Sequence, residues 1–174
     1  MKKAPISKTS RILSVFHLFR YCSEVSYREI TGLMQVSTKT ATRDIALLRQ
    51  TDVIRIRYSK AAGAFVPLDG NHPVNPEPVP DWPDYKPLRL YLEKILRLTT
   101  LMRELDVAYE PAAWYRTHYP TLCVRTMQRD FAELRKLGYR VIYQRETDLN
   151  GEHPIGSYYC DFPYDTYSLD TFYR

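Results

Sequence analysis

The chain has 174 residues, 44% of them hydrophobic and 26% charged, which is enough to bury one or two cores and excludes a chain disordered throughout. No run approaches the roughly 18 apolar residues of a membrane span, and no apolar stretch follows the basic start Met1-Lys2-Lys3, so neither a transmembrane segment nor a secretory signal is expected. The net charge of +5 is uneven: residues 1–70 carry twelve Lys/Arg against five Asp/Glu, and residues 71–174 carry thirteen against fifteen.

A basic first part suits a polyanionic partner, because binding releases condensed counterions. Three scattered cysteines, Cys22, Cys123 and Cys160, fit a reducing cytoplasm without a disulfide framework. Residues 1–7 form a basic arm. From Lys8 to Cys22, the spacing of Ile12, Val15, Phe16 and Phe19 predicts a first helix, capped by Thr9 or Ser10. Ser26-Tyr27-Arg28-Glu29 is a capping box that opens a short second helix through Ile30, Leu33 and Met34.

Ser37 then caps a third helix. Its buried stripe is Ala41, Ile45 and Leu48, and Lys39, Arg43, Ala46 and Gln50 point the opposite way. Two cations one turn apart, above an alanine, suit a helix that must approach a polyanion. The cations reach phosphates or guanine edges, and the alanine leaves room for the backbone. The plainer reading is the solvated face of an ordinary amphipathic helix. Next, Ile54-Arg55-Ile56-Arg57-Tyr58 alternates as a half-buried strand, Ser59 to Gly63 turns, and Ala64-Phe65-Val66 returns. On such a hairpin, Arg55, Arg57 and Lys60 would meet a neighbouring groove, or would simply be solvated.

Residues 67–87 hold seven of the twelve prolines and read as a stiff linker. At ~3.1 Å per residue it could span roughly 60 Å. That exceeds the ~34–36 Å between half-sites one turn apart. Trp82 and Tyr85 could instead pin it to a domain.

Beyond it the pattern returns. Lys94-Ile95-Leu96 echoes Arg11-Ile12-Leu13, and Pro111 suits a first helical turn, with Trp114 and Tyr115 as core. The stretch from Thr126 to Arg135 repeats Thr40 to Arg49, with Thr, Arg, Asp, Ala, Leu and Arg identical. Two copies of one small domain are therefore expected. In the second, Met127, Phe131 and Leu134 form the buried stripe, and Arg125, Arg129, Ala132 and Lys136 face outward. Cys123 is a poorer cap than Ser37, although Thr121 could serve. Tyr139–Tyr143 and Ser157–Phe162 make a second hairpin, whose loop carries Asn150-Gly151 with Arg145, Glu146, Asp148 and Glu152. The tail, with Tyr164, Tyr167, Phe172 and Tyr173, packs on its own domain or forms a self-association surface. Asp44 and Asp130 would repel phosphate, so a structural bond to Arg43, Arg129 or a scaffold arginine is expected.

The motif Thr-x-x-Arg-Asp-[Ile/Phe]-x-x-Leu-Arg, between a helix with Arg/Lys-Ile-Leu and a hairpin, resembles the winged helix-turn-helix of DeoR-type bacterial regulators. The second copy, with Leu137-Gly138-Tyr139 and Tyr158-Tyr159, is most similar to the amino-terminal domain of regulators that carry a WYL domain. This resemblance covers nearly all of residues 8–66 and 88–162. It implies a mainly α fold with small β-hairpin wings, as two tandem winged helix-turn-helix domains. Their bounds are 1–66 and 88–174, joined by 67–87. It further implies transcription regulation through sequence-specific double-stranded DNA binding, with the third helix in the major groove. Thr38, Lys39, Thr40, Thr42 and Arg43 would be contacts in the first domain, and Arg125, Gln128 and Arg129 in the second. Ser37, Gln50, Arg55, Arg57, Lys60 and Lys136 complete the candidate DNA-binding set.

A cytoplasmic, nucleoid-associated bacterial repressor acting as a homodimer is the leading expectation. Unlike the larger relatives, this chain shows no ligand-sensing domain, so no small-molecule effector is expected, and the second copy could hold a partner protein instead of DNA. The alternatives are a plasmid or phage type replication initiator that binds repeated origin sites, and a winged-helix protein-interaction module. No glycine-rich phosphate loop, His-Glu-x-x-His or Cys-x-x-Cys is present, and His17, His72, His118 and His153 share no ligand spacing. Neither an enzyme nor a metal or other cofactor is expected.

Overall fold

A computed structural model describes residues 6–104, 110–145 and 156–161. Among these the protein is mainly helical, with six helices and two small antiparallel sheets. By internal contacts the chain divides into two compact units, Met1–Thr99 and Thr100–Arg174.

In the first unit, α1 (Lys8–Tyr21) is capped by Ser7, whose hydroxyl accepts from the Ser10 amide. The cap therefore lies two residues before Thr9 and three before Ser10. The spacing suggested one apolar stripe, yet every residue from Ile12 to Phe19 is buried, Ser14 and His17 included. Such a helix forms the centre of a core rather than its lid. Strand β1 (Val25–Ser26) leads into α2 (Tyr27–Met34), whose Ser26–Glu29 capping box is complete. Gln35 ends α2 in the left-handed region, at φ 51°. Two residues then separate α2 from the Ser37 cap of α3 (Thr38–Gln50). Strands β2 (Ile56–Ser59) and β3 (Ala64–Pro67) form the expected hairpin, and β1 pairs with the far edge of β3, giving the order β1-β3-β2. Gly63 closes the hairpin at φ 63°, a conformation that costs glycine little.

The first part of the proline-rich stretch is not a free rod. Pro73 accepts from the Arg55 amide, the Asn75 amide donates to Val53, and Ile54 bridges Val74. The Asp52 carboxylate gathers the Asn75 amide group at 2.7 Å and the Val79 backbone N–H at 3.0 Å. Proline removes donors but keeps its carbonyl, so Pro73 contributes an acceptor while the non-proline residues Asn75 and Val79 supply the donors, two of which meet the Asp52 carboxylate. Helix α4 (Lys86–Glu104) follows, starting inside the predicted linker with Pro87 in its first turn, where the missing N–H is harmless. The boundary between the units falls within it.

The second unit contains α5 (Pro111–His118), opened by its proline, and α6 (Val124–Lys136). Strands β4 (Arg140–Tyr143) and β5 (Tyr158–Asp161) pair antiparallel, Val141 opposite Cys160 and Tyr143 opposite Tyr158. Tyr115, Phe131, Leu134 and Val141 lie at its core, the Phe131 ring 5.9 Å from Tyr115 and 5.1 Å from Tyr158. Four residues separate α5 from the Cys123 cap of α6, two more than the matching turn of the first unit. The offset between the copies grows from 83 residues at Arg11/Lys94 to 86 at Thr40/Thr126, and two of those three extra residues lie in this turn. The loop residues Glu146, Asp148, Asn150, Gly151 and Glu152, and the aromatic tail, lie outside the described residues.

Candidate nucleic-acid interface

Helix α3 owes its placement to a cap, a stripe and one ion pair. The Ser37 hydroxyl accepts from the Thr40 amide at 3.2 Å, and Ala41, Ile45 and Leu48 are buried as their spacing predicts. Asp44 is also buried. Its carboxylate accepts from Nε and, at 3.1 Å, from Nη2 of Arg11 on α1. A two-point guanidinium–carboxylate bond fixes rotation as well as distance, and it holds the Arg11 guanidinium above its ordinary pKa. The partner of Asp44 is thus a scaffold arginine and not Arg43.

On the opposite side Thr38, Lys39, Thr42, Arg43 and Ala46 are exposed, and Thr40 and Gln50 are half-buried. Neither Lys39 nor Arg43 has an acidic partner among the described residues. At the C-terminal end of this face, a groove of about 590 Å³ is lined by Ala46, Arg49, Gln50, Asp52, Arg55, Val79 and Asp81. The strap thereby walls the last turns of α3 and leaves Ser37 to Arg43 open.

The hairpin cations divide in two. Arg57 and Lys60 are exposed without an acidic partner among the described residues. Arg55 precedes β2 and donates twice to Asp52, at 3.1 and 2.9 Å. That bond raises the Arg55 pKa and is the largest cause of the lowered Asp52 pKa. Arg55 therefore serves the strap anchor rather than a free wing.

A residue outside the candidate set joins hairpin and helix. Tyr27, the first residue of α2, sets its hydroxyl 3.1 Å from Thr42 Oγ1. Its ring meets Phe65 at 4.9 Å and Tyr58 at 5.8 Å. Tyr58 stands on β2 opposite Phe65, so this cluster ties α3 to the hairpin through one face of the sheet, while the adjacent Arg57 lies on the other face. The capping box announces Tyr27 as helical, but no local pattern announces this pairing.

In the second unit Met127, Phe131 and Leu134 are buried, and Arg125, Gln128 and Arg129 are exposed with no acidic partner among the described residues. Lys136 is exposed but pairs with Glu133 at 3.3 Å. Asp130 is buried and accepts from the Tyr115 hydroxyl at 2.7 Å. Cys123 occupies the cap position without a capping hydrogen bond. Its thiol lies 3.4 Å from Thr126 Oγ1, which draws its pKa below the usual thiol value. Val124, where the first copy has Thr38, leaves 57% of its surface exposed.

Among the described residues no three His, Cys, Asp or Glu gather to hold a metal ion, and no helix is long and apolar enough to cross a membrane. In comparisons with known proteins the chain matches no family model, no curated protein and no solved structure at a significant level.

Proposed function

We propose that the protein binds double-stranded DNA sequence-specifically and regulates transcription, each unit acting as a winged helix-turn-helix. In this reading α3 enters the major groove through Thr38, Lys39, Thr40, Thr42 and Arg43, and the β2–β3 hairpin sets Arg57 and Lys60 against the neighbouring backbone. The observation that carries it is the sorting of the charges. Arg11, Arg55 and Arg89 are bound to carboxylates, while Lys39, Arg43, Arg57 and Lys60 stand exposed without one among the described residues. Cations left unpaired on one helix face and on the hairpin that follows it suit phosphates and base edges. Repression by occupying an operator is the simplest regulatory mode for such a binder.

For the second unit, a protein partner is the competing reading. The apolar, exposed Val124 at the start of α6 and the half-exposed Tyr143 favour it.

The test is selection of bound duplexes from a random pool by the full chain, with winners retested at several salt concentrations. An enriched motif with a steep salt slope is expected. Weak binding without enrichment would reject the proposal. Arg43→Ala should then weaken binding to the selected duplex by about 1–3 kcal/mol, as loss of a base-edge contact does.

A further inference from the structure

Thr42 lies on the exposed side of α3, one turn after Thr38, and its hydroxyl donates to the Thr38 carbonyl at 2.9 Å. A threonine hydroxyl has one proton, so that proton is committed. The 3.1 Å contact between Tyr27 Oη and Thr42 Oγ1 must then use the proton of Tyr27. Both donors are now occupied within the protein. What the pair turns outward is acceptor capacity alone, on two oxygens whose positions are fixed. The Tyr27 ring cannot swing freely, because it stands edge-on to Phe65 at 71° and lies against Tyr58.

Major-groove edges divide by the same chemistry. Guanine N7 and O6, adenine N7 and thymine O4 accept, whereas adenine N6 and cytosine N4 donate. Phosphate oxygens also only accept. An acceptor can engage the pair only by taking a proton already in use, which breaks one bond to make another. An exocyclic amine adds a bond and breaks none. We propose that Tyr27 and Thr42 form a base-discriminating pair that accepts from the exocyclic amine of adenine or cytosine in the bound duplex. This rests on the DNA-binding reading of α3. The second unit does not repeat the pair: α5 opens with Pro111, and the repeat puts Gln128 at the position of Thr42. An amide both donates and accepts, so the preference is confined to the first unit.

The experiment uses the full chain in duplex selection, comparing wild type with Tyr27→Phe, Thr42→Val and Thr42→Ser. Wild type should enrich a motif with a position restricted to adenine or cytosine. In Tyr27→Phe and Thr42→Val that position should relax while the rest of the motif persists, and Thr42→Ser should keep it. On the selected duplex, substituting the adenine or cytosine there by an analogue that lacks the exocyclic amine should weaken wild type about five- to tenfold, the worth of one hydrogen bond. Tyr27→Phe should not respond. Unchanged melting curves for Tyr27→Phe would show that the ring packing is intact. A motif that neither variant relaxes, with no response to the analogue, overturns the pair while leaving the DNA reading standing. A wild type that enriches nothing overturns both.

Discussion

His17 sits in the middle of α1 with 3% of its surface exposed, its ring 4.6 Å from that of Tyr21. Burial, helped by the nearby Arg20 charge, lowers its pKa to about 3 from the ordinary 6.5. The unfolded chain therefore takes up a proton below pH 6.5 that the folded chain refuses, and stability falls as the pH drops from 6.5 towards 3. Between pH 7 and pH 5 this one group should remove about 2 kcal/mol. His17→Phe keeps the ring and discards the titration, so its thermal midpoint should fall less between pH 7 and pH 5 than that of wild type. Equal losses in both proteins would refute the assignment. At Asp44 the risk is of another kind. Removing it strands a partly buried guanidinium, and Asp44→Ala should cost about 3 kcal/mol in denaturant unfolding, with far-ultraviolet dichroism confirming the fold. The need for a structural partner at Asp44 was legible, since a carboxylate on a helix expected to face phosphate would otherwise repel it. Its identity was not, because Arg11 is 33 residues away and no local period links them.

Elements repeat this division between local and distant causes. The spacing of apolar residues and the Ser26 and Ser37 signals predicted α2, α3 and both hairpins, since all of these depend on neighbours within a turn or a strand. For the proline-rich stretch the sequence leaves a stiff rod and a pinned segment both open, because the fastening depends on Asp52, 23 residues before Asn75. Asp52 also holds φ 53°, which asparagine tolerates, so Asp52→Asn tests the carboxylate without adding backbone strain. In that variant the Val79 amide should exchange faster with solvent, and residues 73–81 should be cut more readily by protease. Unchanged exchange would mean that the backbone bonds to Val53 and Arg55 suffice. The caps of the repeated helix permit a paired comparison. Ser37→Ala should cost about 1 kcal/mol. Cys123→Ser, which supplies the capping oxygen that α6 lacks, should raise the thermal midpoint.

At the scale of the whole chain, the two copies share a motif but not a charge environment. Residues 1–70 carry twelve cations against five anions, and the remainder carries thirteen against fifteen. In the proposed DNA complex, counterion release assigns most of the salt dependence to the first unit. Replacing Arg57 and Lys60 together by glutamine should flatten the log–log salt slope by about 1.8 if each neutralises one phosphate. Affinity should drop evenly across sequences, with the selected motif unaltered. Arg43→Ala should instead relax one position of the motif. Arg129→Ala, its counterpart in the repeat, stands on a helix that begins with exposed Val124 and an unbonded cap. It should weaken binding less than Arg43→Ala does, measured on the same duplex at the same salt. Equal losses would make the units equivalent readers, and the selected motif should then be long enough for two. If Arg129→Ala costs nothing and Arg43→Ala costs the full contact, α6 does not read DNA. Its apolar start would then be the surface to probe with protein partners.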